Sequence, residues 1–528
     1  MQRIPVPYPA TGRFSALVND YLSGDASLRE HYVHAPDLNG LRAAAEQRRF
    51  APASRAALVA TLRQQYQGVE LHEAVQANLA ALEADSTLTV TTGHQLCLFT
   101  GPLYVPFKLL NAIRLANTLT AQLGRKVVPV FWMATEDHDR DEIDHAWLGD
   151  QKVQWPGSAG GPVGRMPLTG IKAVIDEAVA VLGEGEGARE VEQLLRSCYT
   201  VERSLSEATR LFVNALFGRF GLIILDADVP ALKRLFAPVL QEEVLNQVTQ
   251  RTVSYADAKL AERYAPQAHA REINVFHLAL GQRSRIVLED GRYRSVDGKV
   301  SWSVDELLVD IQVRPQDFSP NVMLRPVYQE LVLPNIAYIG GGGELAYWMQ
   351  LRWLFQGLQV PMPVVLLRTS AAFIPAKQLR QWQELGLSVP ELFAPLDALK
   401  SRVAVGAATF ATDVEQERRQ LNAMYDALLL KAAQADTTLR GAVEARRTKA
   451  LHGLEHIEQR LVRAAKRQQT TLLERMDRVH GAVFPGGGLQ ERKQNMLPFL
   501  AAYGPGILDT WLTELDPLDP QFSVLVED

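Results

Sequence analysis

Between Leu88 and His145 the chain runs strand, loop, helix, strand and acidic loop in one unbroken stretch, which confines it to an α/β fold. Leu88 and Val90 alternate with Thr89 and Thr91, the period of two that a strand shows. Past Gly101-Pro102, apolar residues recur at Leu109, Leu110, Ile113, Leu115, Ala116 and Leu119, a helical spacing. Val127 to Met133 is almost wholly apolar, as a parallel strand buried on both faces must be. Two such strands joined by a helix form a right-handed crossover. Open α/β sheets bind ligands beyond the carboxyl ends of their strands. Two polar clusters fall there: Thr92, Gly93, His94 and Gln95, then Glu136, Asp137, His138 and Asp139.

Further strands extend the pattern. Gly221 to Leu225 is a buried run ending in Asp226 and Asp228, with Pro230 placed to open a helix. Asn335 to Ile339 is another, followed by Gly340, Gly341, Gly342 and Gly343 and a helix expected from Glu344 to Gln356. Pro363 to Leu367 is one more. Two insertions interrupt the series. Residues 151–220 hold a turn-rich loop and a long helical pattern from Glu186 to Phe220. Its SAGGPVG segment lacks the Lys-Ser/Thr ending of a phosphate loop and reads as a connection. Residues 251–318 read as short antiparallel strands with a turn at Asp290-Gly291.

Ahead of the core, residues 1–87 are alanine-rich and amphipathic, which predicts a helical region packed on the core. From Thr412 glycine and proline nearly vanish until Pro485. Leu451, Leu454, Ile457, Leu461, Ala465, Leu472, Met476, Val479 and Val483 form a heptad-like seam. The break at Asp436-Thr437-Thr438 predicts two helices folded into an antiparallel hairpin. The fold class is therefore α/β: a Rossmann-like parallel sheet core (88–375) with connecting insertions, an α-helical antiparallel coiled-coil arm (376–484), and C-terminal helices returning to the core (485–528). An exposed seam predicts a homodimer through the coiled coil.

A net charge of −5 over 528 residues gives no basis for nucleic acid as a partner, and the basic residues of the arm read as its solvated face. No apolar run is long enough to span a bilayer. The N-terminal MQRIPVPYPATGRF has no apolar signal core. Two cysteines are too few for a disulfide framework, so a reducing cytoplasmic setting is expected.

Several groups are suited to chemistry. His94 and Gln95 offer donors that can stabilise phosphate oxygens, with backbone amides adding to this if a helix starts there; the plain alternative is a polar turn. In an extended Glu136–Asp139 segment alternate side chains share a face, so Glu136 can act with His138, or Asp137 with Asp139. Such a pair can bind an amine, act as general base, or hold Mg2+ with a nucleotide; the alternative is helix capping. No convincing zinc ligand set is present, and the metal is left open. The glycines at 340–343 let a ligand approach the backbone, while Glu344 suits a helix dipole and would repel phosphate, favouring a sugar hydroxyl or an amine. Arg325, with Asn321 nearby, fits a substrate carboxylate through bidentate pairing; a surface ion pair is the alternative. Cys97, among apolar neighbours, reads as a small hydrophobe.

The motifs TGHQ-x-x-LFTGPLY, PVFW-x-ATEDHD, LDAD, SPNVMLRPVYQE, LPNIAYIGGGGELAYW and LQERKQN, in this order, resemble the bacillithiol biosynthesis cysteine-adding enzyme family. The sequence departs from the family pattern at His94, where many members carry Gln, and at Arg140, Asp144 and Gly342. The resemblance implies a ligase that adds cysteine to glucosaminyl-malate. Forming an amide from a free carboxylate calls for activation, hence ATP with Mg2+. On this reading His94 and Gln95 stabilise the departing phosphate, and Glu136, Asp137, His138 and Asp139 orient or deprotonate the amine. Arg325, Asn321 and the Gly340–Glu344 loop hold malate and sugar, together with Thr92, Gly93, Thr100 and Gly101. Arg492 and Asn495 are expected at the nucleotide. Two other classes stay open: a nucleotidyltransferase-like enzyme on another small substrate, and a coiled-coil scaffold with an inactive core.

Overall fold

The computed structural model describes residues 1–157 and 160–527. Ser158 and Ala159, within the SAGGPVG segment read as a connection, lie outside the described residues. Five parallel strands form the central sheet in the order Val364–Leu367, Asn335–Gly340, Leu88–His94, Val127–Met133 and Ile223–Asp226. Numbered along the chain, these are the fifth, fourth, first, second and third. The strand order reverses between the first and fourth, which is the Rossmann arrangement and places the ligand crevice at their carboxyl ends.

The threonines of Leu88–His94 are buried rather than solvated on one face. Thr91 Oγ1 donates to Asn335 Oδ1 (2.9 Å) and Thr92 Oγ1 to the Ile339 carbonyl (2.8 Å), so the polar atoms of the alternation are satisfied by the neighbouring strand. Pairing continues through His94, opposite Met133. Gly93 and His94 therefore end a strand and do not form a strand-to-helix turn. The helix Tyr104–Leu123 starts only after a one-turn segment, Leu98–Thr100, in which Phe99 and Thr100 take positive φ.

Two expected long helices are each broken. The segment 186–220 forms Glu186–Cys198 and Leu205–Phe217, the second started by a capping box of Ser204 and Glu207. The segment 344–356 forms Gly342–Trp348 and Arg352–Gly357. Residues 275–320 form the expected antiparallel sheet of five strands. Asp290 (φ 50°) and Gly291 (φ 74°) make its hairpin turn, with the positive φ at both central positions that a type I′ turn requires. Its Phe318–Pro320 strand pairs with Val275–Ala279 and brings Phe276, Arg283, Pro320 and Asn321 to the crevice of the parallel sheet.

A third sheet was not foreshadowed by any local pattern. Gln2–Pro7, at the start of the region expected to be helical, pairs with Gln521–Val526, which pairs in turn with Ala371–Ile374. The hairpin arm consists of Glu415–Ala435 and Leu439–Gln468, with the turn at Asp436 to Thr438 as expected. The apolar seam splits into two parts. Met476, Val479 and Val483, on the following helix Thr470–Val483, are fully buried in the core. Ile457, on the arm itself, is 50% exposed. Among the described residues, no helix is long and apolar enough to cross a membrane.

Candidate active site

A cavity of about 570 Å³ opens where the first and fourth strands end. It gathers Gly93, His94, Gln95, Glu136, Asp137, Asn321, Arg325, Gly341, Gly342, Gly343, Glu344 and Arg492, brought together from distant segments of the chain.

His94 lies edge-on to Tyr104, with its Nε2 3.4 Å from the tyrosine hydroxyl and 3.7 Å from Cys97 Sγ. Burial, then the nearby Lys108 ammonium, pushes its imidazole down to about 3. The ring is therefore neutral near pH 7. It can donate or accept a hydrogen bond, but it does not bring a positive charge to a phosphate. Gln95 donates from Nε2 to Asp137 Oδ2 (2.8 Å). Burial works against the Asp137 carboxylate, but hydrogen bonds from His138 and Gln95 and the charge of Arg283 hold its pKa well below the usual range. Asp137 thus presents a fixed negative charge to the cavity.

Glu136 faces the same cavity yet is committed to Lys233 (2.6 Å), which also holds Asp228 (2.8 Å). Asp228 is further clamped by Nε and Nη2 of Arg165, at 2.7 and 2.8 Å. Burial raises the Glu136 pKa, against the pull of Lys233. The carboxylates of the second and third strand ends therefore belong to one ion network. His138 is not itself part of the lining but backs two residues that are, meeting Arg283 Nη1 (2.9 Å) and the Phe276 ring. Asp139 is exposed outside the cavity. The expected Glu136–His138 and Asp137–Asp139 pairs are thus not assembled, because the segment turns instead of running extended.

Asn321 accepts from the amides of Met323 (3.0 Å) and Leu324 (3.2 Å), which sets the start of the helix Arg325–Val332 and points Arg325 into the cavity. The Arg325 guanidinium donates to Gln329 Oε1 (3.0 Å) and Tyr347 Oη (3.4 Å) and lies over the Tyr338 ring. It makes no ion pair among the described residues, so the surface ion pair considered for it is absent and an anion can take that place. Glu344 caps its own helix, accepting from the Gly341 amide (2.8 Å), and also accepts from Tyr338 Oη (2.6 Å) and Lys108 Nζ (2.7 Å). Burial would raise its pKa, but Lys108 and these donors hold it down to about 2. Gly93 leaves little space beside it: a Cβ would come 3.3 Å from Tyr338 Oη, so the hydroxyl would have to give slightly.

Other expected residues lie outside the lining. Thr92 is spent on the strand pairing. Gly340 ends its strand behind the loop. Thr100 and Gly101 form the strained turn before the helix, and Asn495, fully buried, clamps that turn through the carbonyls of Phe99 (3.0 Å) and Gly101 (2.6 Å). Asn495 is thus a packing element, whereas its neighbour Arg492 reaches the cavity and makes no ion pair among the described residues.

Sequence reasoning missed Lys108, Arg283 and Arg368. Lys108 was detectable as the one charge in PLYVPFKLLNAI, and Arg368 as the charge ending the apolar run Val364–Leu367. Arg368 is buried in a two-pronged pair with Glu491 (2.9 and 2.7 Å). Nothing in the local pattern marks Arg283, whose position depends on how the insertion folds. Cys97 is buried, and burial pushes its thiol up to about 12, consistent with a small hydrophobe.

Residues 1–369 match the family described as "Bacillithiol biosynthesis BshC, N-terminal Rossmann-like domain", and residues 371–527 match "Bacillithiol biosynthesis BshC, C-terminal coiled-coil domain". A protein of Flavobacterium johnsoniae is 36% identical over 523 residues, spanning 98% of this chain and 99% of its own length. One of Flavobacterium psychrophilum is 36% identical over 529 residues, spanning 98% of each. One of Christiangramia forsetii is 35% identical over 528 residues, again spanning 98% of each. All three bear the name "Putative cysteine ligase BshC". With both parts of the chain matched and full-length relatives above 30% identity, the chain is a member of the bacillithiol biosynthesis BshC family.

Proposed function

We propose that this chain is a carbon–nitrogen ligase that joins the carboxylate of cysteine to the amine of glucosaminyl-malate. The observation that carries this reading is Arg325, a guanidinium without an ion pair among the described residues, facing a 570 Å³ crevice at the strand-order reversal, in a chain whose relatives are named cysteine ligases. A guanidinium of this kind pairs with a carboxylate through two parallel hydrogen bonds, which suits the malate arm. Asp137 and Glu344, both held ionised, suit an ammonium or sugar hydroxyls. Neutral His94 accepts a hydrogen bond from the attacking amine without repelling it.

A free carboxylate does not acylate an amine unaided. In this proposal ATP supplies the activation: a cysteine carboxylate oxygen attacks phosphorus, releasing ADP or pyrophosphate and leaving an acyl-phosphate or acyl-adenylate. The amine then attacks the acyl carbon, expels phosphate or AMP, and loses its proton. Arg492 fits a phosphate oxygen on charge and position. Among the described residues no group of three or more His, Cys, Asp or Glu side chains is placed to hold a metal, so Mg2+ enters here on the nucleotide phosphates. The reading further includes a cytoplasmic homodimer through the arm, whose Met424, Leu428, Leu430 and Leu439 are 41 to 69% exposed.

The test is a mass-spectrometric assay of the purified chain with glucosaminyl-malate, cysteine and Mg-ATP, each omitted in turn. Bacillithiol formed only in the complete mixture supports the proposal, and release of AMP or ADP tells which activated species forms. Product without ATP refutes the activation step. ATP turnover that ignores cysteine points to nucleotidyl transfer onto another acceptor.

A further inference from the structure

Lys108 is a deeply buried cation beside the crevice and is not exposed in it: its side chain is 1% accessible. It sits near the start of the helix Tyr104–Leu123 and donates to three acceptors, the Gly93 carbonyl (2.6 Å) and both oxygens of Glu344 (3.0 and 2.7 Å). An ammonium has three N–H donors, so this set uses them all. The acceptors come from opposite sides of the strand-order reversal. Gly93 is the next-to-last residue of the first strand, and Glu344 lies in the helix that follows the fourth.

We propose that Lys108 is a positioning residue of this site: pegged between Gly93 and Glu344, it fixes the two walls of the crevice against each other. Having no access to the cavity, it acts only through those neighbours. Glu344 receives two further bonds, from Tyr338 and Gly341, which orient its carboxylate once Lys108 has drawn it inward. The charged and titratable groups facing His94 are Cys97 from its own segment, Tyr104 and Lys108 from the helix, Glu344, Arg368, and Asp137 from the acidic loop. Burial and Lys108 are the two largest influences against a charged ring, and Glu344 is the largest in its favour. A charged His94 would repel the ammonium groups that both proposed substrates carry. The catalytic part of this inference rests on the proposed ligation, whereas the structural part does not.

The experiment compares the full chain with Lys108→Met and Lys108→Arg. Histidine imidazole signals are followed by NMR between pH 4.5 and 8, with His94 assigned by its loss in His94→Gln. In the unaltered chain the His94 signal stays unprotonated across this range. In Lys108→Met it moves upward and titrates inside the range, and Lys108→Arg restores at least part of the unaltered behaviour. Ligation by Lys108→Met then shows a new acidic limb in its pH profile and a kcat reduced roughly tenfold or more, with a smaller change in KM. A folded Lys108→Met whose His94 titrates as in the unaltered chain, with unchanged kcat, overturns the proposal. Should Lys108→Met fail to fold, Lys108→Gln, which keeps N–H donors for Gly93 and Glu344 without the charge, takes its place, and the same upward movement is required of it. Should no variant or unaltered chain make product, the NMR arm still decides the role of Lys108, and the ligation reading alone fails.

Discussion

At the scale of the residue, the candidate site is governed by burial. His94, Glu344 and Asp137 lie within one crevice and all three are lowered, His94 by burial and the Lys108 charge, the two carboxylates by partners that outweigh burial. Their pH effects can be separated. His94 has an imidazole lowered from 6.5 to about 3 on folding. Between those values the unfolded chain binds the proton and the folded one does not, so stability rises with pH there. The contribution is complete above pH 6.5 and is lost as the pH falls toward 3. A tenfold difference in proton affinity between the folded and unfolded chain is worth about 1.4 kcal/mol. Glu344 adds loss only below its unfolded value of 4.5, as the pH falls toward 2. Burial also lowers His31, His34, His277 and His480 and raises Glu330 to about 7, so thermal unfolding from pH 7 to 5 is compared between the unaltered chain and His94→Gln, which is expected to lessen the decline in Tm over that interval. An unchanged slope would show that His94 is not held neutral.

At the scale of the element, the crevice depends on pieces that are remote in sequence. The pair of Arg368 and Glu491 ties the end of the fifth strand of the parallel sheet to the C-terminal segment, and Gln490 bonds to both the amide and the carbonyl of Phe373 beside it. Removing one partner of a buried ion pair leaves an uncompensated charge, at a cost of about 3–5 kcal/mol. Glu491→Ala is therefore expected to destabilise the chain by that amount in urea unfolding, whereas an equal midpoint for the two proteins would mean the pair contributes nothing. By contrast Arg447, which bonds to Asn422 and Asp426 on the surface of the arm, is expected to cost less than about 1 kcal/mol as Arg447→Ala.

These elements also show what the sequence makes legible. The first crossover, the glycine-rich loop, the hairpin at Asp290-Gly291 and the arm were readable because each follows a local rule of period, turn or capping. The third sheet was not, because Gln2–Pro7 and Gln521–Val526 acquire their meaning only by pairing across the whole chain. The site divides in the same way. His94, Asp137, Arg325 and Glu344 sit at strand or helix ends that periodicity locates. Arg283 reaches the crevice through a tertiary fold that no local pattern encodes, and the acidic loop forms side-chain pairs only on an extended backbone, whereas the chain bends there.

At the scale of the whole molecule, the parallel sheet carries the crevice and the arm extends from the other part of the chain. Met424 and Leu428, four residues apart on one arm helix, and Leu439 on the next leave apolar side chains in water, which a second copy would cover. Sedimentation equilibrium is expected to give the mass of a dimer, and Leu428→Glu to shift it toward a monomer; a monomer at micromolar concentration for the unaltered chain would remove the arm from the assembly.

The claim that the crevice receives the malate-bearing substrate is tested most directly by titration calorimetry of glucosaminyl-malate into the full chain and into Arg325→Gln. A hydrogen-bonded charge pair contributes about 1.5–3 kcal/mol, so the variant should bind roughly tenfold or more weakly while keeping its thermal unfolding curve. Equal affinity in the two proteins would contradict the assignment of Arg325 and, with it, the placement of the substrate in this crevice.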